Sequence, residues 1–348
     1  MQVYAGLDIS LKTAHICVVG EDAKIVWRGV CASDPVSIHA ALERFLPDLV
    51  RCALETGATS PWLTNGLRQL GVPAVCVDAR HAKPVLAQLR NKTDRNDARV
   101  LADLARTQLF REVYVKPRPM QELRAALAAR QQLVEAAATL KNTIRGLLKP
   151  FGLVAGKGSG QVFVRLVREK LVGEAALAAV IEPLLAAMTA VRKELARTTR
   201  TLLAFARGDK TCRLLMTMPG VGALVAVTYL CTVCEPGRFG KSRNVGAHVG
   251  LTSRRNQSGE VDIRGRISHC GDNLLRSYLY EAARVMLFRW SGACALKDWA
   301  ARMIPAKGVK KACVALARKI AVVLHEMWEH GVAFDPKGRP LQPAAKAA

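Results

Sequence analysis

Residues 3–30 have the sequence VYAGLDISLKTAHICVVGEDAKIVWRGV, and the pattern of this stretch indicates the fold of the first part of the chain. Its apolar and β-branched residues form short runs, which predict strands at Val3–Asp8, Thr13–Val19 and Lys24–Val30. A turn between the second and third strands is predicted at Gly20–Asp22. Three short strands in succession indicate the beginning of a β-sheet.

Helices and strands alternate after this stretch. The next segments are predicted as a helix at Ser37–Leu46, a strand at Val50–Glu55, a helix at Trp62–Leu70 and a strand at Val72–Val77. A further helix is predicted to run through Arg90. Because three strands are followed by alternating helices and strands, we expect an α/β domain with helices on the faces of a mixed sheet.

The charge of the chain is strongly positive and unevenly distributed. The 348 residues include 52 Lys and Arg against 28 Asp and Glu, for a formal net charge of +24. Residues 1–100 contribute 12 basic and 10 acidic residues, so almost the whole excess lies behind them. A surplus of this size favours a polyanionic partner, and nucleic acid is preferred over an anionic membrane because no basic amphipathic N-terminus is present.

Cysteine usage and hydropathy indicate a cytoplasmic protein. Several of the ten cysteines lie inside apolar runs, as Cys17 and Cys76 do, which is typical of buried, reduced thiols. Cys231 and Cys234 form a C-x-x-C pair without the further ligands of a zinc site, so core thiols are favoured there. No signal peptide is evident, and the apolar stretch Val221–Cys234 is too short to span a bilayer.

Two heptad patterns occupy the middle of the chain. Their apolar positions are Leu133, Ala137, Leu140, Ile144 and Leu147, followed by Leu184, Met188, Val191, Leu195 and Leu202. These spacings predict two long helices that pair as a coiled coil, with Pro150 ending the first. A loop or small insertion is expected at the Gly-rich residues 152–160. The pattern fits a hairpin within one subunit and a dimer seam equally well.

Four acidic residues are distributed over three predicted elements. Asp8 and Glu55 each end a strand, whereas Asp94 and Asp97 begin a helix and share one of its faces. Carboxylates that converge at a sheet edge raise one another's pKa unless a cation is present, and Mg²⁺ is the cation that such oxygen ligands prefer. Taken singly, Asp8 and Glu55 are better explained as turn caps and Asp94 as a helix N-cap, whereas the ordered set of four favours a metal site. Asp78 also ends a strand and is interpreted as a cap or a neighbour of the site.

A basic, Gly-rich segment at residues 239–271 surrounds Ser258. Its nearest arginines are Arg254, Arg255, Arg264 and Arg266. Guanidinium groups hold phosphates in pairs of hydrogen bonds, and a serine hydroxyl needs such surroundings to become a nucleophile. The alternatives are a turn serine before Gly259, a solvated basic loop, or arginines that only bind backbone phosphate.

Further nucleic-acid contacts are predicted on either side of this segment. Pro219–Gly222 resembles the turn of a helix-hairpin-helix element, in which Gly220 and Gly222 let backbone N–H groups approach phosphate. A tight turn between packed helices is the alternative. Two further helices are predicted near Asn273–Trp290 and Lys310–Glu329. Lys310 and Lys311, at the start of the second, are candidate contacts with a nucleic-acid backbone.

Five stretches of the sequence resemble a known family in the same order along the chain. They are GLDIS at 6–10, ALETGAT at 53–59, RNKTDRNDARVLADL at 90–104, LMTMPGVG at 215–222 and VGAHVGLTSRRNQSGEVDIRG at 245–265. Together they resemble the DEDD family of insertion-sequence transposases, the family of bridge-RNA-guided recombinases. The resemblance covers nearly the whole chain through Phe334.

The resemblance implies a domain organisation. Residues 1–115 would form an RNase H-like (RuvC-type) domain and 116–208 a coiled-coil helical region. Residues 209–334 would form a mainly α-helical transposase domain with a helix-hairpin-helix-like element, followed by a disordered tail at 335–348.

The resemblance also implies a chemistry. Asp8, Glu55, Asp94 and Asp97 match the four acidic positions that bind Mg²⁺, and Ser258 matches the serine that attacks a DNA phosphodiester. The acidic site of another subunit would help to activate this serine, a noncoding RNA would pair with donor and target DNA, and the protein would act as a dimer or tetramer.

Two other functions remain compatible with the residues themselves. A metal-dependent nuclease of the junction-resolvase type would cut with the carboxylates and use the basic part only for binding. A structural nucleic-acid-binding protein would use neither the carboxylates nor Ser258 for chemistry.

Overall fold

The computed structural model describes residues 1–80 and 93–337, and the chain divides into two compact units after Pro117. The first unit is Met1–Pro117 and the second is Arg118–Ala348. The helix predicted to run through Arg90 and the tail beyond residue 337 lie outside the described residues.

The first unit contains a five-stranded mixed sheet. Its strands are β1 (Val3–Ile9), β2 (Thr13–Gly20), β3 (Ile25–Ala32), β4 (Leu49–Glu55) and β5 (Ala74–Val77). They lie side by side in the order β3-β2-β1-β4-β5, with antiparallel pairing among β1, β2 and β3 and parallel pairing of β4 with β1 and β5. The mixed α/β sheet predicted from the sequence is confirmed, and each strand begins and ends within two residues of its predicted bounds.

Helices cover both faces of this sheet. They are α1 (Pro35–Leu42), continued by a 3₁₀ turn at Glu43–Phe45, α2 (Ser60–Gln69) and α3 (Asp94–Thr107). Because side chains alternate along a strand, residues such as Leu7 and Leu54 pack under α1 and α2, whereas Cys17 and Ala53 face α3. The same alternation directs Asp8 and Glu55 to the face that α3 covers.

Two long helices dominate the second unit. They are α4 (Arg118–Leu148) and α6 (Ala175–Gly208), joined through a 3₁₀ turn, a loop and the short helix α5 (Gln161–Lys170). The two long helices pack along each other within the same chain. Helix α5 directly follows the loop predicted at residues 152–160 and was not itself predicted. It packs Phe163 into a small core with Ile144 and Ile181 near the end of the helical pair.

The heptad prediction is wrong at one position. Leu147 is 39% exposed, and Leu148 is the residue that is buried after Ile144. An α-helix has 3.6 residues per turn, so a seam that follows a strict 3.5-residue repeat drifts off the buried face. The other end of the helical pair shares a core with the helices that follow, through Leu127 and Leu202. The predicted middle region, 116–208, is therefore continuous in its core with the C-terminal helices.

Helix α6 is the described helix that is long and apolar enough to cross a bilayer. Its most apolar window of 18 residues has a mean hydropathy of 1.6, and 22% of that window is buried. The inward face of this window includes Ile181, Leu185 and Met188, which pack against α4 and α5. Packing within the second unit accounts for these apolar residues.

The C-terminal part of the second unit is a helical core with one projecting hairpin. Its elements are α7 (Lys210–Leu215), α8 (Ala223–Val233), α9 (Arg243–His248), β6 (Ser253–Ser258), β7 (Val261–Ile267), α10 (Asn273–Phe288), α11 (Ala295–Lys307) and α12 (Val309–His330). Helix α8 is central, and its Tyr229 hydroxyl donates a hydrogen bond to the Ala321 carbonyl at 2.7 Å. Helices α10 and α12 were predicted, whereas α9 and α11 were not.

Candidate active site

Asp8 and Glu55 lie beside each other at one edge of the first unit's sheet. β1 and β4 are parallel neighbours with Leu7 opposite Leu54, so the residues that follow this pair end their strands together. Both acids line a hollow of about 320 Å³, whose opposite wall is the turn from Thr56 to Ser60. Sites on α/β sheets are formed at the carboxyl ends of parallel strands, which is where these two acids lie.

The first turn of α3 brings two more carboxylates to the same face. Thr93 caps the helix, with its hydroxyl accepting from the Asn96 N–H at 3.3 Å, and Asp94 and Asp97 follow in the first turn. Helix α3 approaches β1 closely because Gly6 has no side chain. A Cβ at Gly6 would lie 2.2 Å from the Ala102 nitrogen and 2.2 Å from the Ala98 oxygen. These contacts set the distance from the helix to the strand that carries Asp8.

The titration of Asp8 is altered by its surroundings, including the other three carboxylates. The pKa of Asp8 is raised from 3.8 to about 6, chiefly by burial and then by the negative charges of Asp94, Asp97 and Glu55. The nearby His15 opposes this increase. An acid with a pKa near 6 next to three others is poorly stabilised when ionised, and a cation would relieve that cost.

The donor atoms suit a divalent cation, although they do not surround a metal position in this arrangement. Asp97 is 7% exposed, and its buried Oδ1 has no hydrogen-bond partner among the described residues. His15 Nε2 lies 3.5 Å from Asp94 Oδ2. Among residues 1–80 and 93–337, no three His, Cys, Asp or Glu side chains are grouped closely enough to hold a metal. The four acids therefore offer the carboxylate oxygens that a divalent cation prefers, but they would have to move closer together to coordinate one.

Asp78, the other acid at a strand end, makes different contacts. Its Oδ1 accepts from the backbone N–H of Arg80 at 3.0 Å, and its Oδ2 forms an ion pair with the Arg80 guanidinium at 2.7 Å. A carboxylate that is neutralised in this way is a weaker candidate for a cation ligand than Asp8 or Asp97. This geometry agrees with its interpretation as a capping residue.

Ser258 lies at the end of β6, in the projecting hairpin of the second unit. It pairs with Val261 across the turn formed by Gly259 and Glu260, and Gly259 has a φ of +55°. Every residue of β6 is exposed. The hydroxyl of Ser258 is thus presented at the tip of a two-stranded arm, where a bulky substrate can reach it.

The four arginines of the hairpin are divided between its two faces. Strand alternation places Arg254 on the face of Ser258, and Arg255 and Arg264 on the opposite face, whereas a register shift between Ser253 and Arg255 interrupts the alternation before Arg266. Arg255 forms a two-bonded ion pair with Asp262 at 2.7 and 3.0 Å. Arg254 donates to the Ser268 carbonyl at 3.1 Å. Closeness in sequence therefore did not indicate which arginines lie beside the serine.

A buried arginine at the base of the hairpin was not identified from the sequence. Arg276 of α10 is 8% exposed, and its Nη1 donates to the carbonyls of Val249, Cys270 and Gly271. Its Nη2 donates to Asn273 Oδ1 at 3.1 Å. These bonds tie the two chain segments that enter and leave the hairpin to one helix. The only sequence signal was an arginine at an apolar position of a helical pattern.

The glycines of the predicted helix-hairpin-helix turn have different surroundings. Gly220 has a φ of +85°, and a Cβ there would lie 2.3 Å from the Ala282 carbonyl of α10. Close helix packing alone explains this glycine. Gly222 precedes α8 and has open space around its Cα, so its backbone can be approached from outside. Lys310 and Lys311 are exposed in the first turn of α12.

Comparison with known proteins identifies the family. Residues 5–152 match a DEDD-type IS110 family model described as "Transposase", and residues 212–300 match a model described as "Transposase IS116/IS110/IS902 family". The two matches flank the α5–α6 region and cover most of both units.

Curated relatives align over most of the chain. It is 29% identical to the "Transposase for insertion sequence element IS1111A" of Coxiella burnetii, over 92% of this chain and 87% of that protein. It is 26% identical to the "Probable family 20 transposase" of Pseudomonas aeruginosa, over 95% and 98%. It is 28% identical to the "Putative transposase y4pF/y4sB" of Sinorhizobium fredii, over 81% and 73%. The chain belongs to the IS110 family of DEDD-type insertion-sequence transposases.

Proposed function

We propose that this transposase cleaves and exchanges DNA strands with Ser258 as nucleophile and a divalent-metal site formed by Asp8, Glu55, Asp94 and Asp97. The single observation that carries the proposal is that Asp94, Asp97 and Glu55 all act electrostatically on Asp8, whose pKa is raised to about 6 chiefly by burial and further by these three charges. Folding does not require acids from two strands and a helix to lie within electrostatic range of one another. Their interaction therefore supports a shared ligand.

The topology of the first unit supports an RNase H-like assignment. Three antiparallel strands are followed by two parallel ones, and the sheet order is β3-β2-β1-β4-β5. The acids lie where β1 and β4 end and where the following helix packs over them. This arrangement suits a site that handles the backbone of a nucleic acid at an open sheet edge.

A divalent ion, with Mg²⁺ the best match to carboxylate oxygens, would be held by Asp8, Glu55, Asp94 and Asp97. Such an ion polarises a phosphodiester and neutralises the charge that develops on it. The protein's own contribution is to keep the acids apart until a cation is present. The buried Oδ1 of Asp97 and the position of Asp94 opposite His15 Nε2 support this role.

Ser258 supplies the proposed covalent step. Its Oγ would form a bond to the phosphorus of a DNA phosphodiester, while one phosphorus–oxygen bond to deoxyribose breaks and that oxygen takes up a proton. The hydroxyl proton of Ser258 must be transferred to a base as the new bond forms. Exposure at the tip of the hairpin supports this function, because duplex DNA cannot enter an enclosed pocket.

The positive charge of the chain supports binding of several nucleic-acid partners by this protein, which we propose to be cytoplasmic. The residues beyond 100 carry 40 of the 52 basic side chains, which suits donor DNA, target DNA and a noncoding guide RNA in one assembly of several subunits. Exposed lysines such as Lys310 and Lys311 are proposed backbone contacts. RNA that co-purifies with the full-length protein and directs its target choice would support guidance by RNA.

One experiment separates the proposed chemistry from its rival. Radiolabelled element-end DNA is incubated with the wild type, Ser258→Ala, Asp8→Asn and the control Ser268→Ala, with and without Mg²⁺, and denatured to trap covalent protein–DNA adducts. We expect adducts only from the wild type and Ser268→Ala, and only with the metal. Adducts that persist in Ser258→Ala would exclude the serine role.

A metal-dependent nuclease is the second candidate, favoured by the carboxylate cluster alone. It predicts strand cleavage without adducts, full activity in Ser258→Ala and no activity in Asp8→Asn. The same gel therefore decides between the two functions.

A further inference from the structure

The first unit has a second hollow on the same sheet face as the carboxylates. It is a groove of about 300 Å³ lined by His15, Ile16, Arg28, Gly29, Val30 and Arg95. We propose that this groove binds a phosphodiester of a nucleic-acid strand that runs over the carboxylate site, with Arg28 and Arg95 as its cationic ligands. The inference rests on the proposed function of the first unit and extends it by naming how the strand is held.

The groove exists because β3 extends beyond the cover of α3. His15 pairs with Val30 and Cys17 with Arg28, so the side chains of each pair point to the same face. Helix α3 covers this face at Cys17. It does not cover the edge strand, where Val30 is 59% exposed. The result is an open-sided channel with β2 and β3 as floor and Arg95, in the first turn of α3, as wall.

The charge changes sign from the carboxylate site to the groove. Asp8 lies opposite His15 in the register of β1 and β2, and His15 Nε2 faces Asp94 at 3.5 Å. Arg95 follows Asp94 directly in the helix, and Arg28 lies two residue pairs along β2 and β3 from the His15–Val30 pair, on the same face. A strand that leaves the acidic edge in this direction would pass from carboxylates to guanidinium groups.

Both guanidinium groups are available for an anion. In the part of the chain that the structure describes, neither Arg28 nor Arg95 forms an ion pair with a carboxylate, whereas the neighbouring Arg99 is bound to Asp103 at 2.8 Å. Arg28 interacts with the weakly polar thiol of Cys17. Arginines without carboxylate partners on a groove wall are suited to bind phosphate through paired hydrogen bonds.

The groove suits a nucleic-acid strand better than a small anion. Four carboxylates close to one end of the groove repel a free anion, so binding of inorganic phosphate would be weak. A phosphodiester linked to a group held at the carboxylate site arrives at high effective concentration. The groove is open to solvent along β3, which allows the chain to continue. DNA and RNA share this chemistry, and the experiment has to distinguish them.

Photo-cross-linking from the groove tests the proposal directly in the full-length protein. The photoreactive residue p-benzoylphenylalanine replaces Val30, and in a matched control it replaces Val36, which is 69% exposed in α1 on the opposite sheet face. Each protein is irradiated with labelled single-stranded DNA or RNA of the same sequence, in EDTA and in Ca²⁺. We expect cross-links from position 30 at least about five-fold above those from position 36, with one nucleic acid preferred.

Charge-removing variants then test the two arginines. Arg28→Ala and Arg95→Ala in the Val30-substituted protein should each lower the cross-link yield several-fold and reduce the salt dependence of binding by about 0.7 per lost phosphate contact. The control Arg44→Ala removes the same charge from a guanidinium that stacks on Trp27 and Phe45 of the other face, and should change neither.

Equal cross-linking from positions 30 and 36, or yields that do not respond to the two arginine variants, would overturn the proposal. If inorganic phosphate bound as tightly as the oligonucleotide, the groove would be a simple anion site and not a site for a nucleic-acid strand. Covalent adducts at Ser258 are measured separately, so a failed groove leaves the test of the proposed function intact.

Discussion

Gly6 of β1 and Ala102 of α3 are in such close contact that no side chain fits between them. A Cβ on Gly6 would lie 2.2 Å from the Ala102 nitrogen, well inside the distance that any real contact tolerates. Gly6 is two residues before Asp8, and α3 carries Asp94 and Asp97 in its first turn. The same contact therefore determines the core packing and the spacing of the acids.

Substitution of Gly6 by Ala should move α3 away from β1. Overpacking of a buried contact costs about 1–3 kcal/mol, so we expect a lower unfolding temperature of the first unit by scanning calorimetry. The displaced helix should also weaken binding of Mn²⁺ in an isothermal titration. Gly146→Ala is the control, because a Cβ there meets open space in a long helix and should leave both measurements unchanged. Unaltered stability and metal binding in Gly6→Ala would contradict this account.

The pH dependence of stability should report the raised pKa of Asp8. In the unfolded chain this carboxyl titrates near 3.8, whereas in the folded metal-free protein it titrates near 6. The folded state therefore binds the proton more tightly, and stability falls as pH rises through this interval. Because Asp8 is partly exposed, solvent screening reduces the expected loss to about 1–2 kcal/mol.

Denaturation in EDTA between pH 4 and pH 7 checks this expectation. The wild type should lose stability over that range relative to Asp8→Asn, which cannot ionise. A parallel pH dependence of the two proteins would show that Asp8 is not coupled to its neighbours.

Divalent ions should stabilise the first unit through the four acids. At one hundred times the dissociation constant a ligand adds about 2.7 kcal/mol, which raises the unfolding temperature measurably. Asp8→Asn and Asp97→Asn should lose this increment. Asp78→Asn should keep it, because the Asp78 carboxylate is already bound to Arg80. An increment that survives in Asp97→Asn would remove this residue from the metal site.

Arg276 should hold the serine hairpin in place. In Arg276→Lys the three carbonyls of the hairpin base lose most of their donors, because an ammonium group does not reproduce the guanidinium fork. We expect faster proteolysis within residues 253–267 and a slower rate of adduct formation, with little change in DNA affinity.

Arg284→Lys, at an exposed position of the same helix, is the control for this variant. If DNA affinity falls as much as the rate of adduct formation, Arg276 contributes to binding and does not position the hairpin.

Local pattern was sufficient for the elements of the first unit. Alternating apolar residues and turn signals locate all five strands. Glu55 was correctly placed at the end of β4, whereas β1 continues one residue beyond Asp8. Helices α9 and α11 were missed because a six-residue helix has too little periodicity and α11 contains Trp299 and Pro305, which interrupt its pattern. In the middle region, the heptad pattern predicted paired helices and assigned the wrong residue to the seam at Leu147.

The strands of the first unit, the excess of positive charge and the candidate acids could be derived from the sequence alone, because these depend on neighbouring residues and on composition. Only the tertiary structure decided that Gly6 admits α3, that Arg255 turns to Asp262 instead of Ser258, and that Arg276 closes the base of the hairpin. Each of these contacts joins residues that the linear pattern does not connect. These contacts depend on how closely elements pack and on which face of a strand each side chain occupies. Neither can be derived from the order of residues along the chain alone.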